Sequence, residues 1–428
     1  MKLKFLGGCS EVGRSAILVE EKIIMDYGLR PSDPPEVPMG SGSAVPTSVI
    51  VSHAHLDHSG MVPSLMSAAG MDTAPEVYMT SLTGDLTQLL GRDTIKVGKD
   101  QGFVFFGEEE IRQMNAHTHT VAYGKRIPLN GCGNGADYEL ELYNAGHIPG
   151  SSAVYLRKES EDISLFYTGD IKMEETRLMK SAAPAEFPTS DILLVESTYY
   201  GRDHRNRKEL EREFVDSITE TIGSGGNVII PCFAVGRTQE IVMILHSYGL
   251  TPYVDGMGLG VFRFFKNHPS FVRNEKALND AFRDALFVNS RRRKKALSEP
   301  SIIVTTAGML SGGPVLYYLK KIHEDRTSKV LLTGYQIEGT NGRRLVEEGC
   351  VETNGEVVKV NSQVEQYDFS AHAGDSELKA LVSRFCRNGT EVVFMVHGEQ
   401  TEEFAAWARE NFGCNAIAPK NGEEFIIE

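Results

Sequence analysis

The sequence contains, at residues 52–60, the run Ser52-His53-Ala54-His55-Leu56-Asp57-His58-Ser59-Gly60. A short apolar segment, Val49-Ile50-Val51, precedes this run and is typical of a buried strand. The residues that follow, 61–69, predict a helix with Pro63 in its first turn. Three imidazoles and one carboxylate are therefore expected on a single strand-to-helix turn.

Imidazole and carboxylate side chains are ligands that zinc, manganese and iron accept. A lone histidine is more often a packed or surface residue than a ligand. The chain has only 12 histidines in 428 residues, however, so three of them within six positions indicate a shared role. On a turn, His53 and His55 can point one way while Asp57 and His58 point another. This arrangement favours two adjacent metal ions over one.

Length and composition limit the class of protein. A chain of 428 residues has room for two or three domains, or for one domain with a large insertion. Its composition, 41% hydrophobic and 24% charged, is ordinary for a soluble globular protein. No apolar run of about 18 residues predicts a transmembrane helix, and no signal-peptide pattern opens the chain. Six scattered cysteines without a C-x-x-C pair favour a reducing, cytoplasmic location.

The net charge of −14 argues against a general affinity for nucleic acid, although bound dications would add positive charge locally. One basic run, Arg291-Arg292-Arg293-Lys294-Lys295, stands out in this acidic chain. It could contact a phosphate backbone. A solvent-exposed helix face is the favoured interpretation.

Further metal-binding residue types follow other apolar segments. Each one stands at the carboxyl end of a predicted strand, where loops from neighbouring strands converge on one edge. These residues are Asp26, His147, Asp170 and Glu196, and His397 follows the late strand Val392–Val396.

Two metal ions need roughly seven protein ligands between them if positions are left open for water. The sequence provides one set for each ion and one carboxylate to bridge them: His53, His55 and His147; Asp57, His58 and His397; and Asp170. Two ions about 3.5–4 Å apart suit the hydrolysis of phosphodiesters or esters.

His372 lies outside both ligand sets, on a loop flanked by Ser370 and Gly374. A histidine there could protonate a leaving alkoxide, because its unperturbed pKa is near neutral. Glu196 could orient it. The alternative is a loop histidine held only by hydrogen bonds.

Residues 199–365 differ in character from the rest of the chain. An amphipathic helix with apolar residues at 210, 214, 218 and 222 opens this segment. Strands then alternate with helices at a spacing typical of a parallel, Rossmann-like sheet. No G-x-G-x-x-G turn is present, so no nucleotide cofactor is predicted.

Taken together, these motifs resemble the metallo-β-lactamase superfamily and, within it, the β-CASP nucleases. The resemblance covers nearly the whole chain. Asp26, residues 53–58, His147 and Asp170 match the four superfamily motifs, and Glu196, His372 and His397 match motifs A, B and C. Pro231–Glu240, Gly308–Pro314, Gly334-Tyr335-Gln336 and Gly339-Thr340 match within the inserted segment.

Two details indicate the kind of β-CASP nuclease. His397 resembles the RNA-acting members, since the DNA-repair members differ there. Ser370-Ala371-His372 resembles the nuclease subunit of the cleavage and polyadenylation specificity factor more than RNase J. An archaeal or bacterial homologue of that subunit, without KH domains, is therefore expected.

The resemblance implies a four-layer αβ/βα fold for residues 1–198 and 366–428, with the β-CASP domain inserted at 199–365. It also implies a ribonuclease that uses two zinc ions and a hydroxide to cleave RNA, internally or from the 5′ end. RNA, a second copy of the chain and RNA-processing proteins are the expected partners, and no membrane is expected.

The resemblance also implies roles for individual residues. His372, held by Glu196, would donate the proton to the leaving group. Asp57 would act at the metal centre, and Asp26 would fix a ligand histidine. Contacts to substrate phosphate are expected, besides His372, from Arg237, Ser370, Gly312 and Gly313.

Three alternatives stay open at this stage. The first is a 5′→3′ exoribonuclease similar to RNase J. The second is a small-molecule metallo-hydrolase such as a thioesterase, against which the inserted domain argues. The third is an inactive scaffold similar to the non-catalytic paralogues of cleavage complexes. Those paralogues lose ligands, whereas every ligand position is filled in this chain.

Overall fold

The computed structural model of the chain describes residues 1–32, 34–40, 46–69, 74–129, 137–353 and 355–428. Cys132 lies outside these residues, and the five described cysteines are free thiols. Within the described ranges, the structure has no helix that combines the length and hydrophobicity needed to span a bilayer.

The described residues form two compact units. The first unit comprises Met1–Glu175, Ser181–Asp203 and Ala371–Glu428, and the second comprises Thr176–Lys180 and His204–Ser370. The sequence placed the corresponding boundaries at 198/199 and 365/366. The short segment 176–180 belongs to the second unit because the amides of Arg177 and Leu178 donate to the Glu240 carboxylate (3.1 and 2.8 Å).

The strands of both units are numbered in chain order. They are β1 (Lys2–Gly7), β2 (Ala16–Val19), β3 (Ile23–Met25), β4 (Ser48–Ile50), β5 (Glu76–Met79), β6 (Thr118–Thr120), β7 (Ile127–Pro128), β8 (Tyr138–Asn144), β9 (Ser152–Lys158), β10 (Ile163–Tyr167), β11 (Ile192–Glu196), β12 (Val228–Pro231), β13 (Tyr253–Asp255), β14 (Leu286–Val288), β15 (Ile302–Thr305), β16 (Lys329–Leu332), β17 (Cys350–Thr353), β18 (Glu356–Lys359), β19 (Gln363–Gln366), β20 (Val392–Val396), β21 (Asn415–Ile417) and β22 (Glu424–Ile426).

The helices are numbered in the same way. They are α1 (Leu56–Ser59), α2 (Ser64–Ala69), α3 (Ser81–Gln101), α4 (Glu108–Ala116), α5 (Arg207–Gly223), α6 (Arg237–Ser247), α7 (Gly258–Asn267), α8 (Glu275–Asp284), α9 (Arg293–Ala296), α10 (Pro314–Ile322), α11 (Asn341–Glu348), α12 (Asp375–Arg387) and α13 (Thr401–Phe412).

The first unit contains two seven-stranded sheets with the strand orders β22-β1-β2-β3-β4-β5-β6 and β21-β20-β11-β10-β9-β8-β7. Each sheet has an antiparallel half and a parallel half: β3 to β6 are parallel in one, and β21, β20, β11 and β10 are parallel in the other. The carboxyl ends of these parallel strands carry Asp26, the histidine motif, Asp170, Glu196 and His397, as expected for such sheets. His147 instead follows β8, which pairs antiparallel with β7 and β9.

The core of the first unit lies in three layers of apolar side chains. Between the two sheets, side chains such as Phe5 and Met25 pack with Leu165 and Phe394. On the outer faces, the helices α12 and α13 cover one sheet, and α2 and α4 cover the other. The four-layer αβ/βα prediction is confirmed.

The second unit is built on a six-stranded sheet with the order β14-β13-β15-β12-β16-β19. All neighbouring strands in it are parallel, which confirms the Rossmann-like prediction. Because the strands are parallel, all six carboxyl ends lie along one edge of the sheet, and the loops that follow them share that edge.

The helix predicted at residues 61–69 differs from the structure. A short helix, α1, begins inside the histidine motif, and the amide of Met61 leaves it to donate to the Tyr27 carbonyl (2.8 Å). The second helix, α2, starts after Pro63, which has no N–H to continue the earlier turn. The longest described helix, α3, runs from Ser81 to Gln101 and ends at Gly102, whose φ of +83° suits a helix terminus.

Candidate metal centre

The histidine motif folds as one tight turn after β4. The amide of His58 donates to the His55 carbonyl (3.0 Å), which closes the first turn of α1. His53 and His58 are fully buried, and their ring centroids lie 4.2 Å apart. His55 and Asp57 are partly exposed. Two imidazoles thus face the interior of the unit while the other two ligand candidates border its surface.

The first group of ligand candidates is His53, His55, His147 and Asp170, whose ligand atoms all lie within 4.8 Å of one another. Nδ1 of His55 is 3.2 Å from Nε2 of His53 and 3.0 Å from Nε2 of His147. Oδ2 of Asp170 is 3.5 Å from Nε2 of His53 and 3.6 Å from Nε2 of His147. These are the residues expected at the first ion, together with the expected bridge.

The second group is His58, Asp170 and His397, again within 4.8 Å of one another. Oδ1 of Asp170 is 3.2 Å from Nε2 of His58 and 3.5 Å from Nε2 of His397. Oδ2 of Asp57 is 3.7 Å from Nε2 of His397. The two oxygens of Asp170 therefore face different histidine groups.

For His58, His147 and His397, the second ring nitrogen has a partner outside the ligand groups. Nδ1 of His58 is 2.8 Å from Asp26 Oδ2, and Nδ1 of His397 is 2.8 Å from Ser15 Oγ. Nδ1 of His147 is 2.9 Å from the carbonyl of Ala371. Such outer partners fix the orientation of the ring and leave the inner nitrogen to a ligand.

Asp26 is the most heavily bonded of these outer partners. Besides His58, it accepts hydrogen bonds from the Ser52 amide (2.7 Å), the Ser52 hydroxyl (2.8 Å) and the Tyr167 hydroxyl (2.8 Å). It is fully buried, and its φ of +56° is in the left-handed region. A non-glycine residue held there costs about 1–3 kcal/mol, so the surrounding structure must fix it firmly.

The buried charges shift the protonation of the group. Burial lowers the pKa of His53 and of His147 well below the usual value, which keeps these imidazoles neutral as metal ligands must be. Burial would also lower the pKa of His58, but Asp170 and Asp26 raise it well above the usual value. Burial would raise the pKa of Asp170, but His58 and His397 hold it well below the usual range.

Buried polar atoms that make no hydrogen bond provide a test of whether a cation fits. His58 Nε2, Asp170 Oδ1 and His397 Nε2 are buried and make no hydrogen bond within the described ranges of the chain. Leaving such an atom unsatisfied costs about 1–3 kcal/mol. Imidazole nitrogens and carboxylate oxygens together form a donor set that zinc accepts at roughly 2.0–2.2 Å. These residues fit a metal ion. We call the two groups together, with Asp57, the metal centre: His53, His55, Asp57, His58, His147, Asp170 and His397.

His372 lies beside the metal centre. Its Nδ1 is 3.0 Å from both carboxylate oxygens of Glu196, and its Nε2 is 3.8 Å from Oδ2 of Asp170. Glu196 is fully buried and also accepts a hydrogen bond from the amide of Ile171 (2.8 Å). Burial would lower the pKa of His372, but Glu196 and Asp170 raise it to about 9. The side chain of His372 is 19% exposed.

Sequence reasoning missed three residues that support the centre. Ser15 holds His397, while Ser52 and Tyr167 both bond to Asp26. Ser52 adjoins the histidine motif, and Tyr167 ends the strand that leads to Asp170, so position alone could have suggested them. Ser15 carries no such signal, because it is 382 residues from its partner.

The residues expected to contact substrate phosphate belong to the second unit. Arg237 begins α6 after the carboxyl end of β12, and its guanidinium donates to the carbonyl of Phe369. Burial and the nearby Arg207 lower its pKa. Gly312 and Gly313 follow β15 on the same edge of the sheet, and Ser370 ends the unit. Gly313 has a φ of +76°, and a Cβ there would lie 2.8 Å from the Thr306 carbonyl oxygen.

Comparison with family models identifies two domains. The model described as the Beta-Casp domain matches residues 238–345. The model described as the Zn-dependent metallo-hydrolase RNA specificity domain matches residues 357–419, a range that includes His372 and His397.

Several proteins are similar to this chain over nearly its whole length. "Probable RNase MJ4" of Methanocaldococcus jannaschii is 35% identical over all of both chains. "RNase aCSPSF2" of Saccharolobus solfataricus is 34% identical over 99% of this chain and 85% of its own. "Transcription termination factor FttA" of Thermococcus kodakarensis is 34% identical over 98% of this chain and 70% of its own.

A solved structure of a protein of unknown function from Enterococcus faecalis V583 has a similar fold. Its TM-score is 0.61 at 14% identity, and the match covers 100% of this chain and 99% of that one. At this level of identity the similarity concerns the fold alone.

The four layers and the buried histidine and aspartate group define a metal-dependent hydrolase. The similar proteins reported above include ribonucleases, which identifies the family within this class. The chain belongs to the β-CASP ribonuclease family of the metallo-β-lactamase superfamily, which confirms the resemblance seen in its motifs.

Proposed function

We propose that this chain hydrolyses RNA phosphodiester bonds at a centre of two zinc ions. His53, His55 and His147 would hold one ion, and Asp57, His58 and His397 the other. The observation that carries the proposal is Asp170, whose Oδ2 faces the first histidine group and whose Oδ1 faces the second. A carboxylate placed in this way suits a bridge between two ions.

The bound ions would supply a nucleophilic hydroxide at neutral pH and would neutralise charge on the phosphate. The protein's own groups do the rest. Asp26 holds His58 through Nδ1, and Ser15 holds His397, so both rings keep their Nε2 atoms directed at the centre. Because this arrangement is fixed, the metal centre does not have to reorganise during the reaction.

His372 is suited to act as the general acid. Its Nδ1 is occupied by Glu196, so the proton on Nε2 is the one available for transfer. When the bond between phosphorus and the leaving-group oxygen breaks, the leaving-group oxygen would take the proton from Nε2 of His372. The Glu196 carboxylate stabilises the imidazolium until the transfer takes place.

The biological setting is proposed from the relatives. Their names include ribonucleases and a transcription termination factor, which support a role in RNA processing, 3′-end formation, termination or decay. Internal cleavage is the primary proposal, and 5′→3′ exonuclease action is the alternative, since another relative is named "RNase J-like protein". A homodimer, protein partners in RNA processing and a cytoplasmic location complete the proposal.

The test uses one RNA labelled separately at each end, in linear and circular forms, with the zinc-loaded protein. Cutting of the circle is the expected result. Release of mononucleotides only from linear 5′-monophosphorylated RNA would replace internal cleavage with the exonuclease alternative. Absence of cleavage of either form would overturn the proposal. His372→Ala serves as the control, because cleavage by this chain should fall by about 10²–10⁴ in that variant, whereas cleavage by a contaminant would be unchanged.

A further inference from the structure

The basic run at 291–295 takes an unexpected form in the structure. Only Arg293, Lys294 and Lys295 enter a helix, and that helix, α9, has four residues. It is too short to be the solvent-exposed helix face that the sequence favoured. The segment is instead a loop with one helical turn that follows the carboxyl end of β14.

Four of the five cations in this segment are free. Arg291, Arg292, Lys294 and Lys295 are exposed, and among the described residues none of their side chains forms an ion pair or hydrogen bond. Residues 285–298 contain no aspartate or glutamate. In a chain of net charge −14, this segment is therefore a local concentration of unneutralised positive charge.

The fifth cation fixes the segment in place. Nε of Arg293 donates to Oδ2 of Asp255 (2.7 Å), and the Tyr318 hydroxyl donates to the same oxygen (2.9 Å). Asp255 is the last residue of β13 and is buried. The free cations are therefore held at the carboxyl edge of the parallel sheet and are not carried on a separate tail.

The same edge bears the loops expected to contact phosphate. Gly312 and Gly313 follow β15, which is the neighbour of β13 in the sheet. Arg237 follows β12, which is the next strand after β15. Tyr317, in the first turns of α10 after Gly313, has the Arg293 guanidinium 5.8 Å from its ring centroid. Phe233, in the loop after β12, is 38% exposed. Cations and aromatic rings along one edge are typical of surfaces that bind single-stranded nucleic acid.

We propose that the segment Arg291–Lys295 binds the phosphate backbone of single-stranded RNA outside the metal centre. It would contact phosphates of the bound RNA and would raise affinity without taking part in the chemistry. This inference rests on the proposed ribonuclease function. It predicts that long RNAs bind better than short ones and that the segment accounts for the difference.

A matched pair of variants tests it. Lys294→Ala with Lys295→Ala removes two neighbouring exposed lysines at the end of α9. Lys320→Ala with Lys321→Ala removes two neighbouring exposed lysines at the end of α10, close to the opposite edge of the same sheet. Both changes are equal in charge and composition. A fourfold variant, which also carries Arg291→Ala and Arg292→Ala, gives the full effect.

Steady-state cleavage would be measured with the zinc-loaded full chain on an RNA of about 20 nucleotides and on a short oligonucleotide of the same cleavage site. For the long RNA, the 294/295 variant is expected to raise KM several-fold with kcat unchanged. In a plot of the logarithm of the RNA association constant against the logarithm of salt concentration, the slope should become shallower by about 0.7 for each lost phosphate contact. The short substrate should be cleaved as by wild type, which also shows that the variant is folded.

The outcomes separate this inference from the proposed function. If wild type cleaves RNA and the 294/295 and fourfold variants match the 320/321 variant in KM and salt slope, the inference is overturned and the ribonuclease function stands. If wild type neither binds nor cleaves RNA, both are overturned. An equal loss in both double variants would show a general charge effect and would also overturn the assigned segment.

Discussion

Nδ1 of His372 lies 3.0 Å from both carboxylate oxygens of Glu196. The shared contact leaves one ring nitrogen, Nε2, directed towards the metal centre, 3.8 Å from Asp170. His372 therefore stands next to the ligands without occupying a position in either histidine group. A role in proton transfer and a role in metal binding can be separated by experiment.

His372→Ala is expected to lower kcat by about 10²–10⁴, the range typical of a lost general acid. Zinc content should stay at the wild-type value, because His372 lies outside the two proposed ligand sets, although it forms a cluster with Asp170 and Glu196 beside them. Steady-state cleavage and metal analysis of the same preparation provide the two readouts. Loss of zinc in this variant would assign His372 to metal binding and contradict its role as the acid.

Glu196→Gln is expected to move the alkaline limb of the kcat profile to lower pH. Burial lowers the pKa of His372, and Glu196 is the first of the groups that raise it to about 9. Without that charge, the pKa falls. A general acid works only while protonated, so its activity is lost as pH rises through its pKa, and a lower pKa brings the loss to lower pH. An unchanged alkaline limb would show that another group donates the proton.

Asp26→Asn tests the outer support of the centre. The amide keeps the shape of the carboxylate but removes the negative charge that His58, Ser52 and Tyr167 contact. Zinc affinity, measured by competition with a chelator, is expected to fall about 10–100-fold. Asp162→Asn is the control, since the Asp162 side chain is 81% exposed. Equal affinity in the two variants would remove Asp26 from the support of the metal.

Ser15→Ala probes one ligand group separately from the other. Ser15 is buried; its hydroxyl contacts Nδ1 of His397, and its amide donates to the carbonyl of Asp57 (2.8 Å), a residue of the same proposed ligand set. One zinc equivalent should therefore be lost to a chelator more readily than in wild type while the second is held as before. The exposed Ser160→Ala variant is the comparison. Parallel loss of both equivalents would contradict the division into two groups.

Much of the site follows from the sequence because of one rule of sheet geometry. Parallel strands end at the same edge, so polar residues that end buried apolar segments converge. Asp26, Asp170 and His397 each follow such a segment, and the structure brings them together with His147, which follows the antiparallel strand β8. The strongly apolar segment Val392–Val396 also forms a strand with the expected bounds, β20.

The rest depends on contacts between distant parts of the chain. β19 (Gln363–Gln366) is polar and lies at a sheet edge, so it lacks an apolar pattern, and β22 pairs with β1 from the other end of the chain. Helix α8 is amphipathic and lies between the short strands β13 and β14, and the sequence did not predict it. The contact of Ser15 with His397, like that of Arg177 with Glu240, arises only when the chain has folded.

The central claim is that two zinc ions share Asp170, and the direct measurement is zinc per chain in dialysed, reconstituted protein by elemental mass spectrometry. Wild type should hold about two equivalents. Asp170→Asn should hold fewer, because both of its oxygens face ligand histidines. Asp162→Asn should match wild type. One equivalent or less in wild type, or full occupancy in Asp170→Asn, would contradict a shared two-ion centre.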